Sequence, residues 1–145
     1  MRKQIKSFKN AFRGIHSALK EESHLRFHFV AAFYVIVFSF CFELSALKWA
    51  VVLLLITSII AAELFNTAIE RLCDRVTPEY DGLIKFAKDA SAAAVLVLST
   101  AAIAIAFLFY FDTTKIKNLC VFFLNNPILL ILFIISIIIS VIYIV

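Results

Sequence analysis

The chain is 145 residues long, 63% hydrophobic, with two glycines, two prolines and a formal net charge of +4. That apolar share lies well above the roughly 45–50% of soluble domains and excludes a water-soluble core as its explanation. A bilayer, which demands apolar side chains on outer faces as well as inner ones, accounts for it.

The length is that of one domain, and its elements are read in chain order. Residues 3–20 place Ile5, Phe8, Phe12, Ile15 and Leu19 three or four apart, on one face of a helix, with Lys6, Lys9, Arg13, His16 and Lys20 over much of the rest. Such a cationic amphipathic helix suits the membrane interface; packing on a partner domain is the alternative. Four apolar stretches follow, at about 27–43, 46–63, 89–111 and 127–145, and the fold class expected is an all-α integral membrane protein. The first stretch begins too deep, and without a small-residue cleavage site, to read as a secretory signal. Lys48 and Trp49 stand near the outer end of the second, where a long cation can snorkel and an indole can sit among headgroups. The third is rich in alanine, which lets helix backbones approach closely. Asn125-Asn126-Pro127 marks the start of the fourth, with asparagine as a potential cap and proline in the first turn. The fourth stretch reads as a span, with a hairpin or an interfacial segment as the alternative. Cys41, Cys73 and Cys120 match no zinc or disulfide spacing and are expected to be small buried hydrophobes.

Seven of the 14 basic residues precede the first apolar run, and the 64–88 segment adds Arg71, Arg75, Lys85 and Lys88; only Lys48, Lys115 and Lys117 fall on the other side. The positive-inside rule therefore places the N-terminus and the 64–88 segment in the cytoplasm, and the protein in the plasma (inner) membrane as a multi-pass chain. A membrane surface explains these cations; no nucleic-acid partner is implied.

The second apolar stretch runs on into Ala61-Ala62-Glu63-Leu64-Phe65-Asn66-Thr67-Ala68-Ile69-Glu70-Arg71-Leu72-Cys73-Asp74. At about 100° per residue, Asn66, Glu70 and Asp74 lie about −60°, −20° and +20° from Glu63, so one polar group and three acids share about 80° of one helix face. The stripe begins at the membrane boundary, where like charges repel strongly. A divalent cation with oxygen ligands, such as magnesium bridging carboxylates to substrate phosphates, would offset that repulsion; a solvated acidic face with one buried hydrogen bond is the alternative. Glu21-Glu22, just before the first span, could add a carboxylate or form a solvated pair. Lys88-Asp89 opens the third span, where a phosphate would suit both the lysine and the free helix N–H groups; pairing of Lys88 with a nearby carboxylate fits the spacing as well. Two glycines cannot build a Gly-rich phosphate loop, so nucleotide chemistry here would use carboxylates, metal and lysine.

The run Ala62-Glu63-Leu64-Phe65-Asn66-Thr67-Ala68-Ile69-Glu70, then Asp74, Pro78-Glu79-Tyr80, Ala87-Lys88-Asp89 and Ala92-Ala93-Ala94-Val95-Leu96, resembles the prokaryotic diacylglycerol kinase family, which includes the undecaprenol kinases. Phe12-Arg13-Gly14, Glu22 and Leu25-Arg26-Phe27-His28 fit its N-terminal pattern, and the likeness covers about residues 5–112. It implies a homotrimer of three-span protomers with an N-terminal surface helix, active sites at subunit interfaces near the cytoplasmic boundary, and transfer of a phosphoryl group from Mg-ATP to a membrane lipid alcohol. By match, Glu63 looks like the general base for the lipid hydroxyl, with Arg26 beside the lipid. Glu22 and Glu70 resemble the magnesium carboxylates that also meet nucleotide. Glu79, Tyr80 and Asp81 resemble the nucleotide-contacting segment, Lys88 and Asp89 the phosphate-proximal pair, and Asn66 and Asp74 the supporting groups. His28 looks like the undecaprenol-kinase branch, so undecaprenol is the expected acceptor and diacylglycerol the alternative; a non-enzymatic magnesium-binding subunit is the rival of another class. His24 stands where the undecaprenol-kinase branch often has asparagine, and Asn10 where an aromatic nucleotide contact is usual. On this reading residues 1–117 form the kinase-like domain and 118–145 an additional C-terminal transmembrane helix outside the usual pattern.

Overall fold

The computed structural model describes residues 2–76 and 81–145; Glu79 and Tyr80, expected to meet nucleotide, lie outside the described residues. The described chain is helical throughout: α1 (Arg2–Glu21), α2 (Ser23–Cys41), α3 (Ala46–Val76), α4 (Gly82–Tyr110), α5 (Thr113–Asn125) and α6 (Pro127–Ile144). Four of these, α2, α3, α4 and α6, are long and apolar enough to cross a membrane. No more than 11% of any of the four apolar windows is buried within the chain, so the outward side chains need lipid or neighbouring protein as their solvent. α3, at about 1.5 Å per residue, is about 46 Å long against an apolar bilayer core of about 30 Å. Its C-terminal third therefore leaves the membrane and carries the acid stripe with it.

α3 packs along α4, α2 packs on α3, and α6 lies on another face of α2. Ile5, Phe8 and Phe12 of α1 are exposed, leaving its apolar face free for an interface plane. Only the far end of α1 docks, with Ala18 buried. The break to α2 falls at Glu22, whose backbone is extended. Arg26 fastens this elbow: its Nη1 donates to the carbonyls of Leu19 and Lys20 at 3.2 Å each, filling two acceptors that a helix end leaves open.

At the opposite end, α2 closes in a Schellman turn. Glu43 takes the left-handed region, φ 49°, while Glu43 N–H donates to Phe40 O at 3.1 Å and Leu44 N–H to Ser39 O at 3.2 Å. Lys115 caps the same end by donating to the Phe42 carbonyl. Lys48 stands 5.0 Å over the Phe109 ring, and Trp49 lies 4.8 Å from the Phe40 ring, so both residues read as an outer belt make specific contacts there.

Three expectations are corrected. The 118–145 segment is not one helix: α5 is a separate 13-residue helix, at about 20 Å too short to span. It starts where Asp112 accepts from the N–H groups of Thr114 (2.9 Å) and Lys115 (3.1 Å). Pro127 does open α6, but Asn126 makes no side-chain cap; its amide turns back to Phe122 O at 2.8 Å. Of the cysteines only Cys73 is buried; Cys41 and Cys120 are exposed, since each falls on a helix face turned outward from the bundle.

A non-glycine residue in the left-handed region costs about 1 kcal/mol. Glu43→Gly is therefore expected to raise the unfolding free energy by about 0.5–1 kcal/mol, read as a higher midpoint in detergent titration.

Candidate functional site

The site grows from the acid stripe of α3, and each member has a partner on another element or on the stripe itself. Glu63 is 6% exposed; its Oε1 lies 3.0 Å from Nε2 of His28 on α2. One turn on, Asn66 donates from Nδ2 to Oε1 of Glu70 at 3.1 Å and accepts from the Ser91 hydroxyl of α4 at 2.7 Å. Asp74 meets Lys88 of α4 at 2.8 Å. The repulsion expected along the stripe is thus answered by an imidazole, an amide and an ammonium. For Lys88 the carboxylate pairing is the one realised. Lys88 lies before the apolar run of α4, and its hydrogen bond with Asp74 holds its pKa above the usual lysine value.

Glu21 and Glu22 are also paired. Arg71 bonds Glu21 and lies 3.5 Å from Glu22 Oε1, tying the α1–α2 elbow to the projecting part of α3. Asp81, expected at the nucleotide, is the N-cap of α4, its Oδ1 accepting from Leu83 N (2.8 Å) and Ile84 N (3.1 Å). Asp89 is exposed at the start of the apolar run. The Arg26 guanidinium, expected beside lipid, is engaged with carbonyls of α1 and, through Nε and Nη2, with Ile144 O of α6 at 3.2 and 3.0 Å.

Starting at His28, an apolar groove of about 280 Å³ runs between α2, α3 and α4. Its walls include Ala31, Val35, Ile56, Ile59, Ala102 and Ala106, with His28 at one end and Tyr110 at the other. Tyr110 closes that end by a hydroxyl–hydroxyl bond to Ser39 and an edge contact with Phe42. Ser99 lines the groove and its Oγ has no protein partner among the described residues. From Ser99 to Tyr110 the wall covers about 16 Å, about half the hydrocarbon thickness of a bilayer. Of the ionisable pair, His28 lines this slot and Glu63 is in contact with it.

No group of three or more His, Cys, Asp or Glu side chains that could hold a metal occurs among the described residues. Magnesium, however, uses one or two carboxylates and completes its shell with phosphate oxygens and water. Glu22 and Glu70, the carboxylates expected at the metal, are hard oxygen donors on the elbow and on α3, engaged here with Arg71 and Asn66 respectively.

The sequence profile of prokaryotic diacylglycerol kinases matches residues 9–110. The chain belongs to that family. It is 40% identical to the undecaprenol kinase of Bacillus subtilis over 106 residues, 73% of this chain and 86% of the relative. It is 35% identical to the diacylglycerol kinase of Synechocystis over 98 residues (67% and 56%) and 29% identical to that of Escherichia coli K12 over 93 residues (64% and 76%). The match holds α1 from Lys9, all of α2 and α3, and α4; α5 and α6 lie beyond it.

Sequence reasoning found the stripe but missed Ser91 and the α6 contacts of Arg26. Ser91, two residues after Asp89 and three after Lys88, carried a signal as the one hydroxyl in an alanine-rich run. Ser91→Ala, which removes the interhelical hydrogen bond to Asn66, is expected to lower stability by about 0.6 kcal/mol, and Asn66→Ala, which also removes the bond to Glu70 within α3, by more than that; unfolding by a denaturing detergent at fixed lipid content measures each.

Proposed function

We propose that the chain transfers the γ-phosphoryl group of Mg-ATP to the hydroxyl of undecaprenol, at the cytoplasmic face of the plasma membrane. Family members are lipid kinases. The choice of undecaprenol is supported by the 40% identity with an undecaprenol kinase, against 35% and 29% with the diacylglycerol kinases. The observation that carries the mechanism is the burial of Glu63 in contact with His28, the residue at one end of an apolar groove.

A lipid alcohol whose chain occupies the groove brings its hydroxyl to the depth of Glu63. The carboxylate takes the hydroxyl proton as the oxygen attacks phosphorus, the role that general bases fill within hydrogen-bond reach of their proton. Glu22 and Glu70 would hold the magnesium ion, which supplies charge neutralisation on the phosphate oxygens. Lys88, kept cationic by Asp74, stands ready for the terminal phosphate, and Asp89 lies beside it. Asn66 and Asp74 hold Glu70 and Lys88 in place. Glu79, Tyr80 and Asp81 would contact the nucleotide; Asp81 acts through its cap, which sets the first turn of α4. Arg26 meets a lipid headgroup only on releasing the Ile144 carbonyl. The large outward apolar surface of α3 and α4 is compatible with a homotrimer.

Purified protein in lipid nanodiscs, given a panel of lipid alcohols, is expected to phosphorylate undecaprenol with the highest kcat/KM. Preference for diacylglycerol overturns the acceptor; no phosphorylation of any lipid alcohol overturns the reading. Glu63→Gln is expected to lower turnover by about 10²–10⁴-fold with the oligomer intact. Glu70→Ala is expected to lose activity that added magnesium restores only in part.

A further inference from the structure

Glu63 and His28 meet where α2 touches the acid stripe of α3. The two side chains are 7% and 14% exposed, with Nε2 3.0 Å from Oε1. At this distance an imidazole and a carboxylate attract only when a proton lies on one of the facing atoms, since two lone pairs would repel. An ionised carboxylate only accepts, so the imidazole supplies it through Nε2–H. The remaining members of the stripe are committed elsewhere, Asn66 to Glu70 and Ser91 and Asp74 to Lys88, and Arg71, off the stripe, is held by Glu21 and Glu22. Among the described residues, His28 is therefore the side chain that fixes Glu63. It is also a wall of the apolar groove, and its ring is held edge-on by Phe27, with centroids 5.4 Å apart.

We propose that His28 is the positioning residue for Glu63: by donating to Oε1 it turns Oε2 toward the hydroxyl of a lipid lying in the groove. The inference rests on the reading of Glu63 as general base. In the step it serves, the hydroxyl oxygen bonds to the γ-phosphorus as the bond from that phosphorus to the β–γ bridging oxygen breaks. The nucleoside diphosphate leaves with that electron pair, and the hydroxyl proton passes to Oε2. His28 keeps its own proton throughout and touches no reacting atom. A carboxylate left without this donor would rotate freely at the head of the groove, and misplacement of a base by about 1 Å is enough to cost about 10²-fold in rate.

Steady-state kinetics on the full chain in nanodiscs, with undecaprenol and ATP, test this. His28→Ala is expected to lower kcat about 100-fold, with KM for lipid and nucleotide moved less than about 3-fold. His28→Gln, whose amide N–H can replace Nε2–H, is expected to recover to within about 5-fold of the parent chain. His28→Met, of similar volume but without a donor, is expected to behave as alanine does, and the Gln–Met comparison decides the matter where alanine does not fold. In a Glu63→Gln background, His28→Met is expected to cost nothing further, because its effect runs through Glu63. Parent-like turnover in His28→Met, equal turnover in the Gln and Met variants, a loss confined to KM, or an additional loss in the Glu63→Gln background overturns the inference. Full turnover in Glu63→Gln alone overturns the general-base reading instead, and the two failures are thereby distinct.

Discussion

A carboxylate held among apolar helices requires a partner that returns the hydrogen bonding it loses from water, and in this chain that requirement falls on Glu63. Leaving such a charge alone costs several kcal/mol, and the contact with His28 is where α2 answers it. Much of the bundle's arrangement follows. α2 must approach α3 closely at that level, which the buried Leu25 and Ile59 allow. Further along, α2 and α4 diverge enough to leave the groove, until Tyr110 brings them together again through Ser39 and Phe42.

The polar partners along α3 change character with depth. At Glu63, in the least hydrated position, the partner is an imidazole. At Asn66 and Glu70, part-buried, the partners are an amide and a hydroxyl. At Asp74, which is exposed, the partner is a lysine. The fully charged lysine partner stands where water screens it, as the position-dependent dielectric favours. The stripe is thus a connection between two solvents, and α3, long enough to reach from one to the other, is the helix that can carry it.

Much of this was legible from the residues. The i, i+3, i+7, i+11 spacing of Glu63, Asn66, Glu70 and Asp74 placed them on one face, and the long apolar runs fixed the four spans, because both signals are local and periodic. The family motif, confined to α1 through α4, told the same story. What could not be read was which neighbour each acid would choose. Lys88 had two plausible partners, and only the approach of α4 to α3 selects Asp74. Glu21 and Glu22 looked solvated until Arg71, fifty residues on, was brought beside them. α5 escaped notice since its 13 residues fall between a span pattern and a loop pattern, although Asp112-Thr113-Thr114 is an ordinary helix start. The cysteines misled because a buried side chain in water and an outward one in lipid draw on the same residue types.

α6 adds a different kind of consequence. Its inner face is marked by Ser136 and Ser140, whose hydroxyls lie 3.0 and 3.1 Å from the Tyr34 phenol, and by Phe133, stacked edge-on with Tyr34 and Phe38. Its far end is grasped differently, through the main-chain oxygen of Ile144 by the Arg26 fork. A main-chain acceptor is supplied by any residue type, so substitution at position 144 leaves that grip intact. Deleting one residue between 140 and 144 would instead swing the oxygen about 100° around the helix axis and away from the guanidinium. The helix is therefore measured by its length at one end and by its lettering in the middle, and drift in sequence and drift in spacing are tolerated at different places along it.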